Sequence, residues 1–420
     1  MDFALPADLV AYLDELDRFI AREIKPLEQA DDNIRFFDHR REWARTDFDN
    51  GGLPRHEWEV LLRKAKNLAD AAGHLRFAIP KRYGGKDGSN LWMAVIREHF
   101  AAKGLGLHND LQNEHSTVGN LPIVTMLDRY GTDEQKAMID GSITGKYRIT
   151  FGLTEPEHGS DATHMETTAV RVGDEWIING EKTWNTGIHK APYDLVYART
   201  SGKAGDGQGI TAFLVPMKAE GLKIEEMLWT FNMPTDHGRV SLTNVRVPHS
   251  AILGGEGRGL QVVQHFFNEN RIRQAASSLG AAQFCIDQAV AYARERKPFG
   301  KPLSSNQGIQ FPLVELQTRA EMLRALIHKT AWSMDKYGNF SVSDKVSMCN
   351  YTANRLCCEA ADWAMQVHGG MGYSRHKPFE HIYRHHRRYR ITEGADEIQI
   401  RRIAGYMFGF MSQQKPKGVA

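Results

Sequence analysis

The spacing of apolar residues changes twice along the chain, and that double switch limits the architectures open to it. Early on, Leu9, Leu13, Leu16, Ile20 and Ile24 recur at intervals of three and four, marking one face of a helix. Further helical segments are expected at about 56–72 and 91–103, and Thr132 and Gln135 stand in capping-box spacing at a helix start. Residues 30–55, rich in Asp, Arg and Gly, break the period and read as a long loop or insertion. Near residue 150 the pattern becomes that of strands. TTAVRVGDEWIINGEKTW carries two turn signals, Gly173-Asp174 and Asn179-Gly180, between β-branched and aromatic runs. YDLVYART, ITAFLVPM, LKIEEMLW and VSLTNVRVP supply further short strands. After GGEGRG at 254–259 helical spacing returns, with Ile272, Ala276, Leu279, Ala282, Ile286 and Val290 on one stripe and more helices at about 306–335, 342–368 and 396–410. Blocks of helices, strands and helices predict an α+β multidomain chain, divided at 1–149, 150–253 and 254–420.

This order excludes a doubly wound dinucleotide fold. Such a fold needs strand, GxGxxG and helix together, whereas GGEGRGLQ has the wrong glycine spacing and lies in a helical region. The 53 basic and 51 acidic residues leave a net charge of +2, so no global field favours nucleic acid or an anionic membrane. Cys285, Cys349, Cys357 and Cys358 form no CxxC pair, which argues against a disulfide framework or a zinc site and suits a reducing compartment. The acidic N-terminus lacks the basic head and apolar run of a secretory signal. No stretch reaches the roughly 18 consecutive apolar residues of a membrane span. A soluble, cytoplasmic protein is expected, although a processed organellar chain would read the same.

Four segments could carry chemistry. FGLTEPEHGSDA at 151–162 is a turn-rich loop whose N–H groups and hydroxyls suit a polar ligand edge or phosphate, or equally a plain surface loop. NGEKTWNTG at 179–187 reads as an Asn-Gly hairpin leading into Trp184 and Thr186, with Trp184 either beside an aromatic ligand or in the core. ARERKPFGKPLSSNQ at 293–307 is a basic helix end followed by a turn. QVHGGMGY at 366–373 offers backbone that a ligand could approach closely, and YRITEGADEIQIRR at 389–402 places Glu393-Gly394 just before a helix start. The basic stretch RHKPFEHIYRHHRRYR at 375–390 has the interleaved aromatics of a nucleic-acid binder, but the overall charge opposes that reading. Its His381, His385 and His386 lack nearby cysteines or paired carboxylates. They are expected to be solvated or ion-paired rather than to hold a metal.

Taken together and in order, TEP..GSD, RKPFGK, QVHGGMGY and EGADEIQ resemble the acyl-CoA dehydrogenase family over essentially the whole chain. The resemblance implies an N-terminal helical domain, a central β-barrel-like domain and a C-terminal four-helix-bundle domain. FAD would lie between the β and helical domains of a homotetramer or homodimer, with part of each site from a neighbouring subunit. It implies α,β-desaturation of a CoA thioester, with Glu393 taking the α-proton, the β-hydrogen leaving as hydride to flavin N5, and electron-transfer flavoprotein as acceptor. For the cofactor it implies Leu153, Thr154, Ser160, Trp184 and Thr186. Arg296, Phe299 and Gln307 would reach across subunits, with Gln366, His368, Gly369, Gly370, Ala395 and Glu397 completing the set. Ser160, Arg271 and Gly394 are implied at the thioester.

The departures from the family pattern are local. Ala395 stands where a threonine is usual, and Glu157-His158 where a smaller pair is common. Asn268 replaces an acid found in some members. Where others carry their base on the earlier helix this chain has Asn270, which cannot serve, leaving neighbouring Glu269 as the competitor to Glu393. Residues 30–55 and HNDLQNEHST at 108–117 leave the acyl group open. An oxidase using dioxygen, or a non-catalytic member of the family, is the alternative; the retained Glu393 argues against the second.

Overall fold

A computed structural model of the chain describes residues 4–110 and 116–412, so residues 111–115 of the 108–117 segment lie outside the described residues. Helix α1 (Ala7–Phe19) continues through one π turn to Gln29, burying Leu9, Leu16, Ile20 and Ile24 as the spacing requires. Helices α2 (His56–Ala71), α3 (Asn90–Ala102) and α4 (Pro122–Tyr130) complete the N-terminal layer. The Thr132–Gln135 capping box forms, heading only the single turn Asp133–Lys136.

Residues 30–55 depart from expectation. They form a 3-10 turn, the helical turn Glu42–Arg45 and a two-stranded ribbon pairing Thr46–Asp47 with Leu53–Pro54. Charge rather than periodicity anchors them: buried Arg45 pairs with Asp110 at 2.8 Å, and Glu42 bridges Arg375 (2.9 Å) and Arg384 (3.0 Å).

The middle of the chain forms one curled eight-stranded sheet. In chain order its strands are β1 (Ile149–Gly152), β2 (Thr168–Val172), β3 (Glu175–Thr186), β4 (Tyr193–Arg199), β5 (Ile210–Pro216), β6 (Leu222–Met227), β7 (His237–Pro248) and β8 (Ile252–Leu253). Their spatial order is β8-β5-β4-β2-β3-β7-β6, with β1 running parallel to β4. Strands β2 and β4 meet only at Thr168–Arg199. Strands β4 and β5 are buried on both faces, which explains their unbroken apolar sequences. One face meets Trp176, Ile178 and Val245 inside the β domain, and the other joins the core of the N-terminal helices. Gly173-Asp174 makes the expected turn between β2 and β3. Asn179-Gly180 does not: β3 runs straight through it, with a register shift at Gly180 (φ 150°). The Asn179 Oδ1 accepts the N–H of Asn244 on β7, so the pair forms a bulge.

The C-terminal helices are α5 (Gly259–Glu295), α6 (Gln307–Tyr337), α7 (Ser343–His368), α8 (Phe379–Tyr389) and α9 (Asp396–Met407). Helix α5 packs against α3, α4, α6, α7 and β5, so it is buried around much of its girth, polar Asn268, Arg271, Arg273 and Ser278 included; of the predicted stripe only Val290 is exposed. It crosses α3 closely at Gly280, where an added Cβ would sit 2.3 Å from the Glu98 carbonyl oxygen. Among the described residues no helix is long and apolar enough to cross a membrane. The four cysteines are buried and in no disulfide.

The histidines of α8 are not solvated. His381, His385 and His386 are buried, with His386 Nδ1 2.9 Å from Ser278 Oγ and the His381 ring 4.8 Å from that of His39. Two of the neighbouring arginines are matched by carboxylates, Arg384 by Glu380 and Glu42 and Arg390 by Asp396.

Two outcomes follow from this packing. Gly280→Ala gains helix propensity but drives a methyl into a backbone carbonyl, so it lowers stability by about 1–3 kcal/mol in urea unfolding. Burial, reinforced by neighbouring cationic side chains, pushes His381 and His385 well below the ordinary 6.5. The unfolded chain therefore binds protons there that the fold refuses. Stability falls as pH drops below 6.5, by about 1.4 kcal/mol per unit for each such histidine, and thermal melting between pH 7.5 and 5 measures it.

Candidate active site

Strand β3 ends by turning one aromatic side chain outward. Trp176 lies in the core, whereas Trp184 takes a left-handed backbone (φ 66°) and stays half exposed. That conformation is strained for a bulky residue. Two residues on, exposed Thr186 has its Oγ1 3.0 Å from His237 Nδ1.

Beside it, β1 runs into the TEP loop. Thr154 accepts the Thr183 N–H at 2.9 Å, and the Leu153 carbonyl accepts Lys182 Nζ at 3.3 Å. Below the loop, buried Glu155 takes Lys182 Nζ at 2.7 Å and the N–H groups of Glu166 (2.6 Å) and Thr167 (2.9 Å). Burial raises the Glu155 pKa, but Lys182 and the backbone donors outweigh it and hold the carboxyl below its ordinary value. No local pattern in the sequence marks this ion pair, because Glu155 and Lys182 lie 27 positions apart. Glu157 is exposed, and His158 pairs with Asp161 at 3.2 Å.

The loop roofs a cavity of about 300 Å³, lined by Leu153 and Ser160–His164, by Leu260, Val263, Gln264 and Phe267 of α5, and by Arg401 of α9. The adjoining turn between α8 and α9 carries Glu393 (φ 58°) and Gly394 (φ 96°). Arg271 of α5 donates through Nε (2.9 Å) and a terminal nitrogen (2.6 Å) to the Glu393 carbonyl, and Gln399 donates to the same oxygen at 3.1 Å. Asp396 anchors the start of α9 through Arg355 (2.8 Å) and Arg390 (3.0 Å). Ala395 precedes it without capping the helix, and Glu397 is exposed in the first turn. The Glu393 Oε1 accepts from Asn270 Nδ2 at 2.8 Å, while Oε2 is buried with no partner. Burial raises the Glu393 pKa, against the lowering influence of Arg271, Asn270 and Arg388. Among the described residues, the Glu393 N–H has no acceptor.

The competitor is engaged elsewhere. Glu269 accepts from Asn339 at 2.7 Å and faces Arg273 at 3.5 Å, against a void of only about 10 Å³. Asn268 donates to the Asn339 carbonyl and to Ser343.

A second group gathers far from Glu393. Arg296 and fully exposed Phe299 (φ 53°) follow the end of α5, and Gln307 opens α6. Gln366 and His368 end α7 and Gly369 caps it, Gly370 opening the helical turn Gly370–Tyr373, with the His368 ring stacked 4.2 Å from Tyr292. At about 1.5 Å per residue, Arg296 lies roughly 38 Å along α5 from Arg271.

Comparison with known proteins decides the family. The models for the N-terminal, middle and C-terminal domains of acyl-CoA dehydrogenase match residues 7–139, 150–245 and 257–408. The chain belongs to the acyl-CoA dehydrogenase family. It is 30% identical to the glutaryl-CoA dehydrogenase of Desulfococcus multivorans, over 95% of this chain and 96% of that one. It is 32% identical to the caffeyl-CoA reductase–Etf complex subunit CarC of Acetobacterium woodii, over 86% and 91%. A solved glutaryl-CoA dehydrogenase in complex with glutaryl-CoA superposes with a TM-score of 0.80 at 28% identity, covering both chains in full.

Members of this oxidoreductase family depend on FAD, and the residues here fit it. A tryptophan held outward by a strained backbone, an exposed threonine hydroxyl and a loop pinned from beneath present an aromatic face and polar edge donors. Lys182→Met would strand the buried Glu155 charge. It costs about 3–5 kcal/mol and leaves less FAD per chain, read by urea unfolding and by the yellow absorbance of purified protein.

Proposed function

We propose that this enzyme removes the α-proton and β-hydrogen of an acyl-CoA thioester, with Glu393 as the base. The observation that carries the reading is the Glu393 carboxylate itself, with one oxygen hydrogen-bonded and the other buried and unpartnered. A carboxylate in water is too weak a base for a thioester α-proton. Burial raises its basicity, and a hydrogen-bond donor at the thioester carbonyl would stabilise the enolate charge that develops. The unclaimed Glu393 N–H can supply that donor. Arg271 and Gln399 hold the turn that sets both groups, and Gly394 leaves room for the acyl group to pass close to the backbone.

When bound, FAD supplies the acceptor for the β-hydrogen as hydride. Leu153, Thr154, Ser160, Trp184 and Thr186 would hold it in this chain, with Ser160 also reaching the CoA moiety. Ala395 and Glu397 follow the base at the start of α9. Arg296, Phe299, Gln307, Gln366, His368, Gly369 and Gly370 are too distant to share that site, so we assign them to the cofactor of a neighbouring copy in a homodimer or homotetramer. Electron-transfer flavoprotein is the proposed acceptor, as the name of the Acetobacterium relative suggests. Relatives named as reductases are accommodated by the same residues, since Glu393 would return the α-proton in the reverse direction.

Glu393→Gln tests the proposal. The variant keeps its yellow colour but loses about 10²–10⁴-fold in anaerobic flavin bleaching by a panel of acyl-CoA thioesters. Bleaching at the parent rate would move the base elsewhere, with Glu269→Gln next in line.

A further inference from the structure

The oxygen of Glu393 that is already engaged sits at the end of a line of hydrogen bonds drawn from distant parts of the chain. Arg273 of α5 donates to Asn120 Oδ1, Asn120 Nδ2 donates to Asn270 Oδ1, and Asn270 Nδ2 donates to Glu393 Oε1. Arg273 is 7% exposed and is held from the other side by Glu269, which is itself tied to Asn339.

The direction of the line is fixed by chemistry. A guanidinium can only donate, so Asn120 must turn its oxygen to Arg273 and its amide nitrogen to Asn270. Asn270 must then accept with its oxygen, which leaves only its N–H₂ for Glu393. The other end agrees, because an ionised carboxylate can only accept, and Asn270 could turn its oxygen to Glu393 only once that group is protonated.

We propose that Arg273, Asn120 and Asn270 are positioning residues that hold Glu393 by Oε1 and so select Oε2 as the oxygen that receives the substrate proton. The inference rests on Glu393 as the base and adds to it a mechanism for aiming and tuning the carboxylate. Asn270 favours the ionised form, opposing burial. The charged groups facing the site are Arg271 of α5 and Arg388 of α8, with Arg402 of α9 beside Arg271. The carboxylate of Glu269 is turned to Arg273 and Asn339. Among the described residues Asn270 is the donor to the Glu393 carboxylate, and its orientation is set by Asn120 and Arg273.

The ionisation of Glu393 can be followed without any substrate. In FAD-loaded enzyme its protonated-carboxyl stretch is the infrared band missing from Glu393→Gln, and its midpoint is read by titration. Asn270→Ala removes the donor, so the midpoint rises by about one pH unit, a tenfold change in the ionisation constant. Asn120→Leu frees the Asn270 amide to turn its oxygen to the protonated carboxyl and so shifts the midpoint the same way, but adds nothing in the Asn270→Ala background. If Asn270→Ala fails to load FAD, the near-isosteric Asn270→Asp replaces donor by acceptor and raises the midpoint further. An unmoved midpoint in the Asn270 variant that loads FAD, or equal shifts from Asn120→Leu in both backgrounds, overturns the proposal. The base assignment is judged apart, because Glu393→Gln bleaching tests it whichever way the titration falls.

Discussion

A guanidinium with a main-chain carbonyl as its partner holds the centre of this molecule together. Arg271 is almost completely buried; desolvation, and then the nearby Arg402, push it down to about 10. It spends two donors on the carbonyl of Glu393 while its third nitrogen is left without a partner. Burying a cation against a neutral acceptor is an expensive arrangement if stability is the only object. It becomes intelligible because the Glu393 turn has a left-handed backbone at two successive residues and needs an outside clamp. Helix α5 supplies that clamp, and α5 in turn is fixed by neighbours from every layer of the fold.

The elements that periodicity defines were legible in the sequence. The double switch of apolar spacing marks the three blocks, and residues 259–295 form the long helix expected after GGEGRG. What escaped was set by partners remote in sequence. Asn179-Gly180 carries a turn signal, but pairing with β7 converts it to a bulge. The segment at 30–55 lacks a hydrophobic rhythm, yet Arg45, His39 and Glu42 fasten it by charge and ring contact. The α8 histidines look solvated because imidazole is polar, and they are buried because Ser278 and neighbouring rings receive them.

The same division runs through the candidate site. Glu393 could be singled out by its motif, because the four segments that carry it are local strings. Glu155 lies inside one of those strings, but its role depends on Lys182, which reaches it across the sheet. Asn120 and Asn270 are 150 positions apart and belong to no motif. Only the packing of the segment before α4 against α5 makes them adjacent. Motifs announce the groups that react, whereas the groups that aim them are distributed by topology.

The ribbon and turns at 30–55 also bear on how such a protein can diversify. Through Arg45 they hold Asp110 at the edge of the 108–117 segment, and through Glu42 and His39 they hold α8, the helix that delivers the Glu393 turn. One short stretch therefore braces two regions that sequence treats as unrelated modules. Shortening or remodelling it would disturb both at once. A lineage exploring new substrates by altering the first would inherit constraints from the second, and the route between specificities would run through paired changes rather than single ones.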